Sequence, residues 1–162
     1  MRTQNFTISY ETYDRMEELS ESEKMLCEKA KEALITSHSP YSKFRVGTAI
    51  LLADNQIVLG SNQENVAYPS GLCAERVALF TIGANYQNAV IKTMAITAQT
   101  DNFKIINPVT SCGACLQVMI EAEKRQNSPI EVLFYCIDGK ILKVKSITSL
   151  LPFGFVEDRL GG

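Results

Sequence analysis

Apolar positions along the chain fall into runs of two periods, and the periods name the elements. After a polar start, Met25, Leu26, Lys29, Ala30, Ala33 and Leu34 form a mostly apolar stripe at helical spacing. The stripe opens on Ser20-Glu21-Ser22-Glu23, a capping box with Ser20 at the N-cap and Glu23 three residues on. Pro40 ends that element or the loop after it. Val46 to Ala53 is a dense run of β character, Asp54-Asn55 is a turn and Ile57 to Leu59 a return, which together predict a hairpin. Past the loop Tyr68-Pro69-Ser70-Gly71, residues Cys73 to Ala84 read as a second helix. Val90 to Ala98 predicts a strand, 100–111 a polar loop containing Pro108, and Cys112 to Lys124 a third helix. Ile130 to Ile137 predicts another strand, and Asp138-Gly139 a two-residue turn into a last one, Ile141 to Val144. The order α-β-β-α-β-α-β-β specifies an α/β fold, a mixed five-stranded sheet with helices on its faces.

Residues 1–19 hold Phe6, Tyr10 and Tyr13 among polar neighbours and have only weak periodicity. They are either a mobile arm or an extension docked on the body, and the pattern leaves both open. No repeat, low-complexity tract or linker divides the remainder, so 20–160 reads as one domain behind an N-terminal extension, 1–19. A chain of 162 residues can bury a core without disulfide staples. It lacks a signal-peptide stretch and any run of apolar residues long enough to span a bilayer, so a cytoplasmic protein with no membrane partner is expected. A net charge of −2 gives no gross attraction to nucleic acid.

The cysteines change the picture more than the charge does. Five is an odd number, so no complete intrachain disulfide set exists, and in a reducing compartment the thiols are free for metal or redox work. A single histidine, His38, excludes any centre needing two; it sits in a Ser-His-Ser-Pro loop with no chemical role expected. Cys73, Cys112 and Cys115 all fall at helix starts, where the partial positive charge favours thiolate. Spacing of three puts Cys112 and Cys115 on one face, and three protein ligands leave an open fourth position, the pattern of a catalytic zinc. Glu75, two residues after Cys73, is placed to take a proton from a zinc-bound water. A redox pair, half of a structural zinc site and two buried thiols remain alternatives for Cys112 and Cys115. Cys27 and Cys136 lie on apolar faces and read as inert buried thiols. Asn62 and Glu64, two apart at a strand end, share a face and suit sugar hydroxyls, or equally form a solvated strand edge.

Cys73-Ala74-Glu75-Arg76 followed by Cys112-Gly113-Ala114-Cys115 resembles the zinc-dependent cytidine deaminases, the small three-cysteine type. The likeness extends to Tyr41-Ser42-Lys43-Phe44-Arg45-Val46-Gly47, to Gly60-Ser61-Asn62-Gln63-Glu64-Asn65-Val66-Ala67-Tyr68, and to Leu150-Leu151-Pro152. It implies a three-layer α/β/α cytidine deaminase-like fold and one Zn²⁺ per subunit on Cys73, Cys112 and Cys115. It implies hydrolytic deamination of cytidine and deoxycytidine to uridine and deoxyuridine with release of ammonia, a pyrimidine-salvage reaction in which Glu75 carries the protons. By the same resemblance Arg76 holds the thiolates, Phe44 packs on the nucleoside, Asn62 and Glu64 bind ribose, and the Ala74 backbone holds the base. Tyr68 and Phe155 look like residues that reach a neighbouring active site in a homotetramer, with Phe153 competing with Phe155 for that place.

Two positions depart from the family pattern: Ser111 stands where Pro is usual and Leu116 where Arg is usual. Ser111 is a plausible N-cap, and the loss of a cation at Leu116 leaves Arg76 to offset the thiolates. One rival keeps the chemistry but acts on a related aminonucleoside such as blasticidin S, or on cytosines in a polynucleotide; the near-neutral charge and the antiparallel Asp138-Gly139 ending oppose the polynucleotide. The other is a non-catalytic structural-zinc module, which requires Cys27 or Cys136 as a fourth ligand.

Overall fold

The structure, a computed structural model, describes residues 1–157 and 159. Helix α1 (Glu21–Glu32) begins at Ser20, whose hydroxyl accepts from the Glu23 N–H while the Glu23 carboxylate accepts from the Ser20 N–H at 2.9 Å. Strands β2 (Phe44–Leu52) and β3 (Ile57–Ser61) form the expected hairpin. Helix α2 (Ala74–Asn85), strand β4 (Ile91–Thr100), helix α3 (Gly113–Gln126) and strands β5 (Glu131–Tyr135) and β6 (Ile141–Val144) follow in the expected order. Asn127 ends α3 in the left-handed conformation, φ 51°, which asparagine tolerates.

The sheet has six strands rather than five, in the order β1-β6-β5-β4-β2-β3. The additional strand β1 (Glu11–Tyr13) pairs antiparallel with β6, Tyr13 opposite Ile141. Three residues are too few to show a period, so the strand owes its order to its partner edge rather than to its own pattern. Tyr13 and Met16 pack on a buried cluster that includes Leu19, and Lys145 and Lys140 pair with Glu11 and Asp14 at 3.2 and 3.3 Å. Residues 11–19 are therefore docked on the body, and part of the segment expected as an extension lies in the sheet. The expected domain end at residue 160 lies outside the described residues.

Strand alternation builds two cores. Ala49, Ala95 and Leu133 face α1 with Leu26, Cys27 and Ala30. Their strand neighbours Ile50, Met94, Ile96, Val132 and Phe134 face the other way, onto Ala78, Leu79 and Ile82 of α2 and Met119 of α3. The sheet thus lies between α1 and the α2–α3 pair. β4 and β5 are parallel, and the crossover between them is α3, which brings its N-terminus beside that of α2. Two glycines set the layer spacing. A Cβ on Gly47 would lie 2.1 Å from the Ala30 carbonyl oxygen of α1, and one on Gly60 would lie 2.5 Å from the Ala74 carbonyl oxygen. Gly60 thereby holds the first turn of α2, with Cys73 at its cap, flush against β3.

The Asp138-Gly139 turn is longer than expected. Cys136 donates its N–H to the Lys140 carbonyl, and Gly139 donates to Cys136, both at 3.1 Å, so three residues lie between them. No described glycine has positive φ. Gly139 serves close packing instead, since an added Cβ would meet the Ile106 oxygen at 2.8 Å.

Candidate metal centre and adjoining cleft

Both metal-binding segments are helix starts. Cys73 and Cys112 are the N-cap residues of α2 and α3 in extended conformation, and Cys115 lies in the first turn of α3. Packing α2 against α3 brings the three sulfurs within 4.8 Å of one another. The Cys112 and Cys115 Sγ atoms are 3.5 Å apart. Three thiolates sharing one tetrahedral zinc at about 2.3 Å stand about 3.8 Å from each other, so the donor set fits that ion with small side-chain adjustments.

The surroundings fit it as well. Hydrogen bonding from Cys115 holds the Cys73 thiol down at about 6 despite burial, with the Arg76 guanidinium adding to the effect. The Cys115 thiol moves the opposite way, because it donates to Cys73, is buried and feels the Glu75 charge. Arg76 Nη2 lies 3.7 Å from Cys73 Sγ. Its Nε is buried and has no partner among the described residues. Glu75 is 4% exposed in the first turn of α2, its charge raises both the Cys73 and the Cys115 thiols, and no described residue hydrogen-bonds its carboxylate. A buried carboxylate without a partner beside a cluster of thiols is poised to meet a water or a substrate proton.

Ser111 does not cap α3. Cys112 takes the N-cap position, one residue later, and the Ser111 Oγ is buried with no described partner. Leu116 packs against the core on the α2–α3 side. Cys27 is wholly buried, and burial pushes its thiol up to about 12. Cys136 is buried and donates to the Ile105 carbonyl at 3.4 Å. Neither belongs to the sulfur cluster, so the closed four-sulfur site is not formed by the described residues.

A cleft of about 780 Å³ opens from Cys73 and Arg76 and takes in Phe44, Asn62, Glu64 and Tyr68. Ala74, the residue after Cys73, is fully buried, and neither it nor Glu75 is among the residues that line the cleft. Asn62 and Glu64 fall just past the end of β3, so the same-face argument for a strand does not apply to them. Their side chains are also already engaged with the chain. Asn62 Oδ1 accepts from Val46 N–H at 2.8 Å and Ser37 Oγ at 2.6 Å, while its Nδ2 donates to the Phe44 carbonyl at 2.8 Å. One amide hydrogen of Asn62 is left over. Glu64 accepts from the Tyr41 and Ser42 N–H groups at 2.9 and 3.2 Å and from the Ser42 hydroxyl.

Phe155 does not line this cleft. It is 70% exposed, and Gln117 of α3 clamps its backbone by two hydrogen bonds of 2.7 and 2.9 Å. Phe153 is more exposed still. His38 acts through its backbone, pairing with Asn62 and Glu64. Tyr41 and Ser42 line the cleft too; they lie in a segment that carries the family resemblance, which assigns them no role. Their sequence signal is a pair of hydroxyl-bearing residues immediately ahead of the strand that carries Phe44, and that signal names no partner.

A family model for the cytidine and deoxycytidylate deaminase zinc-binding region matches residues 20–128, from the cap of α1 to the end of α3, with all three cluster cysteines inside. The chain belongs to that family. A cytidine deaminase of Halalkalibacterium halodurans is 35% identical over 136 residues, covering 83% of this chain and 94% of the relative. One from Sporosarcina psychrophila is 36% identical over 138 residues, covering 85% and 93%. The crystal structure of cytidine deaminase from Burkholderia pseudomallei superposes with a TM-score of 0.71 at 34% identity, covering 85% of this chain and all of that one. These family members match the body of the chain almost end to end. Among the described residues no helix is long and apolar enough to cross a membrane.

Proposed function

We propose that the chain is a zinc-dependent cytidine deaminase that hydrolyses cytidine and deoxycytidine to the uridine nucleosides and ammonia. The observation that carries the reading is the convergence of three helix-start thiols, of which Cys73 lines the cleft, with a buried Glu75 that no described residue hydrogen-bonds. Cys73, Cys112 and Cys115 would hold the zinc, and Arg76 would hold Cys73 by a charge-assisted hydrogen bond. Bound zinc would supply Lewis acidity, bringing the pKa of its water toward ~7 so that a nucleophile exists at neutral pH.

The remaining chemistry belongs to the chain. Glu75 takes a proton from the attacking water and delivers it to ring N3, then moves the second proton to the amine that leaves as ammonia. Burial keeps bulk water from competing for those protons. Phe44 forms the apolar wall for the nucleoside, the Ala74 backbone borders the base, and Asn62 and Glu64 offer their remaining amide hydrogen and lone pair to the sugar.

Tyr68, Phe153 and Phe155 present large apolar surface away from the core. A homotetramer in which these rings reach neighbouring sites accounts for that exposure. The reading places the protein in the cytoplasm, in pyrimidine salvage, with 20–160 as the catalytic domain behind an N-terminal extension, 1–19. A panel of cytidine, deoxycytidine, blasticidin S and single-stranded DNA tests the substrate. Turnover of the two free nucleosides is expected, and turnover of blasticidin S or DNA alone would overturn the assignment.

A further inference from the structure

Glu64 is a half-buried residue whose carboxylate has very little freedom. Of the roughly four lone-pair positions on a carboxylate, three are taken by groups of one dipeptide: the Tyr41 N–H, the Ser42 N–H and the Ser42 hydroxyl. The hydroxyl is itself fixed. Ser42 Oγ accepts from the Phe44 N–H at 3.0 Å, so its single proton is directed to Glu64. Lys43, between Ser42 and Phe44, has φ 55°, a left-handed conformation that a side chain tolerates only when its surroundings hold it. The Asn102 side chain adds a bond to the Ser42 carbonyl at 3.3 Å from the loop after β4. Ser42 therefore ties together two parts of the cleft, the carboxylate of Glu64 in the segment after β3 and the start of β2, which bears Phe44. Its hydroxyl is also the chief reason the Glu64 carboxyl lies below its ordinary value.

We infer that Ser42 is a positioning residue for substrate binding: its hydroxyl orients Glu64 so that the one remaining lone pair points at a sugar hydroxyl of the nucleoside. The inference rests on the deaminase reading of the cleft and goes beyond it, because Ser42 touches Glu64 rather than the reacting atoms. Its effect belongs to binding and not to proton transfer.

The test compares wild type, Ser42→Ala and Ser42→Thr as zinc-loaded enzymes on cytidine and on 2′,3′-dideoxycytidine, which lacks the 2′ and 3′ hydroxyls and keeps only the 5′ one. Ser42→Ala is expected to raise KM for cytidine about tenfold with kcat within about twofold, as for loss of one charge-assisted hydrogen bond in uniform binding. The KM penalty should vanish on the dideoxy substrate, and Ser42→Thr, which keeps the hydroxyl, should recover most of the affinity. A fall in kcat with KM unchanged, an equal penalty on both substrates, or loss of bound zinc would overturn the role. Wild-type enzyme inactive on cytidine would instead overturn the underlying deaminase reading.

Discussion

Arg76 lies one helical turn after Cys73, and its Nη2 points at the Cys73 sulfur from 3.7 Å. The same guanidinium also interacts with the Cys115 sulfur, with Cys73 the stronger partner. With Leu116 in the position where a second cation is usual, the offset of thiolate charge falls on Arg76. Arg76→Ala should lower zinc affinity about 10–100-fold, the usual cost of removing such a supporting partner. Competition with a fluorescent chelator measures it, and unchanged affinity would remove Arg76 from the metal site.

Glu75→Gln keeps the shape of the site while removing the proton carrier. The variant should retain stoichiometric zinc and lose at least about 10²-fold in kcat. Zinc analysis beside an ammonia-release assay checks both halves. Wild-type turnover in the variant would mean that another group moves the protons.

The capping box at Ser20, the hairpin of β2 and β3, and both cysteine-led helices were legible because each rests on local chemistry: a cap, a turn, a period. Cys73, Cys112 and Cys115 were legible for the same reason, since helix starts can be read from sequence and their convergence needs only α2 beside α3. β1 was not legible, because three residues owe their strand conformation to the β6 edge. The ties of Asn62 and Glu64 were hidden in the same way: their partners, Ser37, Tyr41, Ser42 and Val46, are 16 to 25 residues away in the chain. Ser111 shows the limit of local rules. It has a capping residue type, but the crossover geometry starts the helix one residue later.

Docking of residues 11–19 predicts an uneven response to truncation. Removing residues 1–10 leaves the paired strand intact and should cost little, whereas removing 1–19 exposes the β6 edge and the cavity left by Leu19. Leu19, 4% exposed, should cost about 2–4 kcal/mol as Leu19→Ala. Urea midpoints of the three variants test this, and equal stability of both truncations would refute the docked arrangement.

Gly60 couples packing to the metal. Gly60→Ala forces a methyl into the Ala74 carbonyl at 2.5 Å, which should cost about 1–3 kcal/mol and displace the first turn of α2. Zinc affinity should fall with it, although the residue touches no ligand. Zinc binding equal to wild type would show that α2 can yield without moving Cys73.

Glu123 is a buried latch that joins α3 to β5 and to the segment after β6. Its carboxylate accepts from Ile130 N–H, Ile147 N–H, Ser146 Oγ and Thr148 Oγ1 at 2.6 to 2.9 Å. Burial pushes its carboxyl up, but these bonds outweigh burial and hold it below the ordinary 4.5. The sign follows: the stabilisation is complete above 4.5 and is lost as pH falls through the lower folded value. Glu123→Gln should cost about 1.5–3 kcal/mol near neutral pH, and the gap to wild type should narrow on acidification. Denaturation of both zinc-free proteins across the acid range measures that gap; a gap that widens would contradict the latch.

The most direct measurement is ammonia release from cytidine by the zinc-loaded protein, by the same protein after a strong chelator, and again after zinc is restored. A zinc deaminase built on Cys73, Cys112, Cys115 and Glu75 requires turnover, its loss, and its return with about one zinc per chain. Ammonia release that survives removal of the metal, or none from the fully loaded protein, would contradict it.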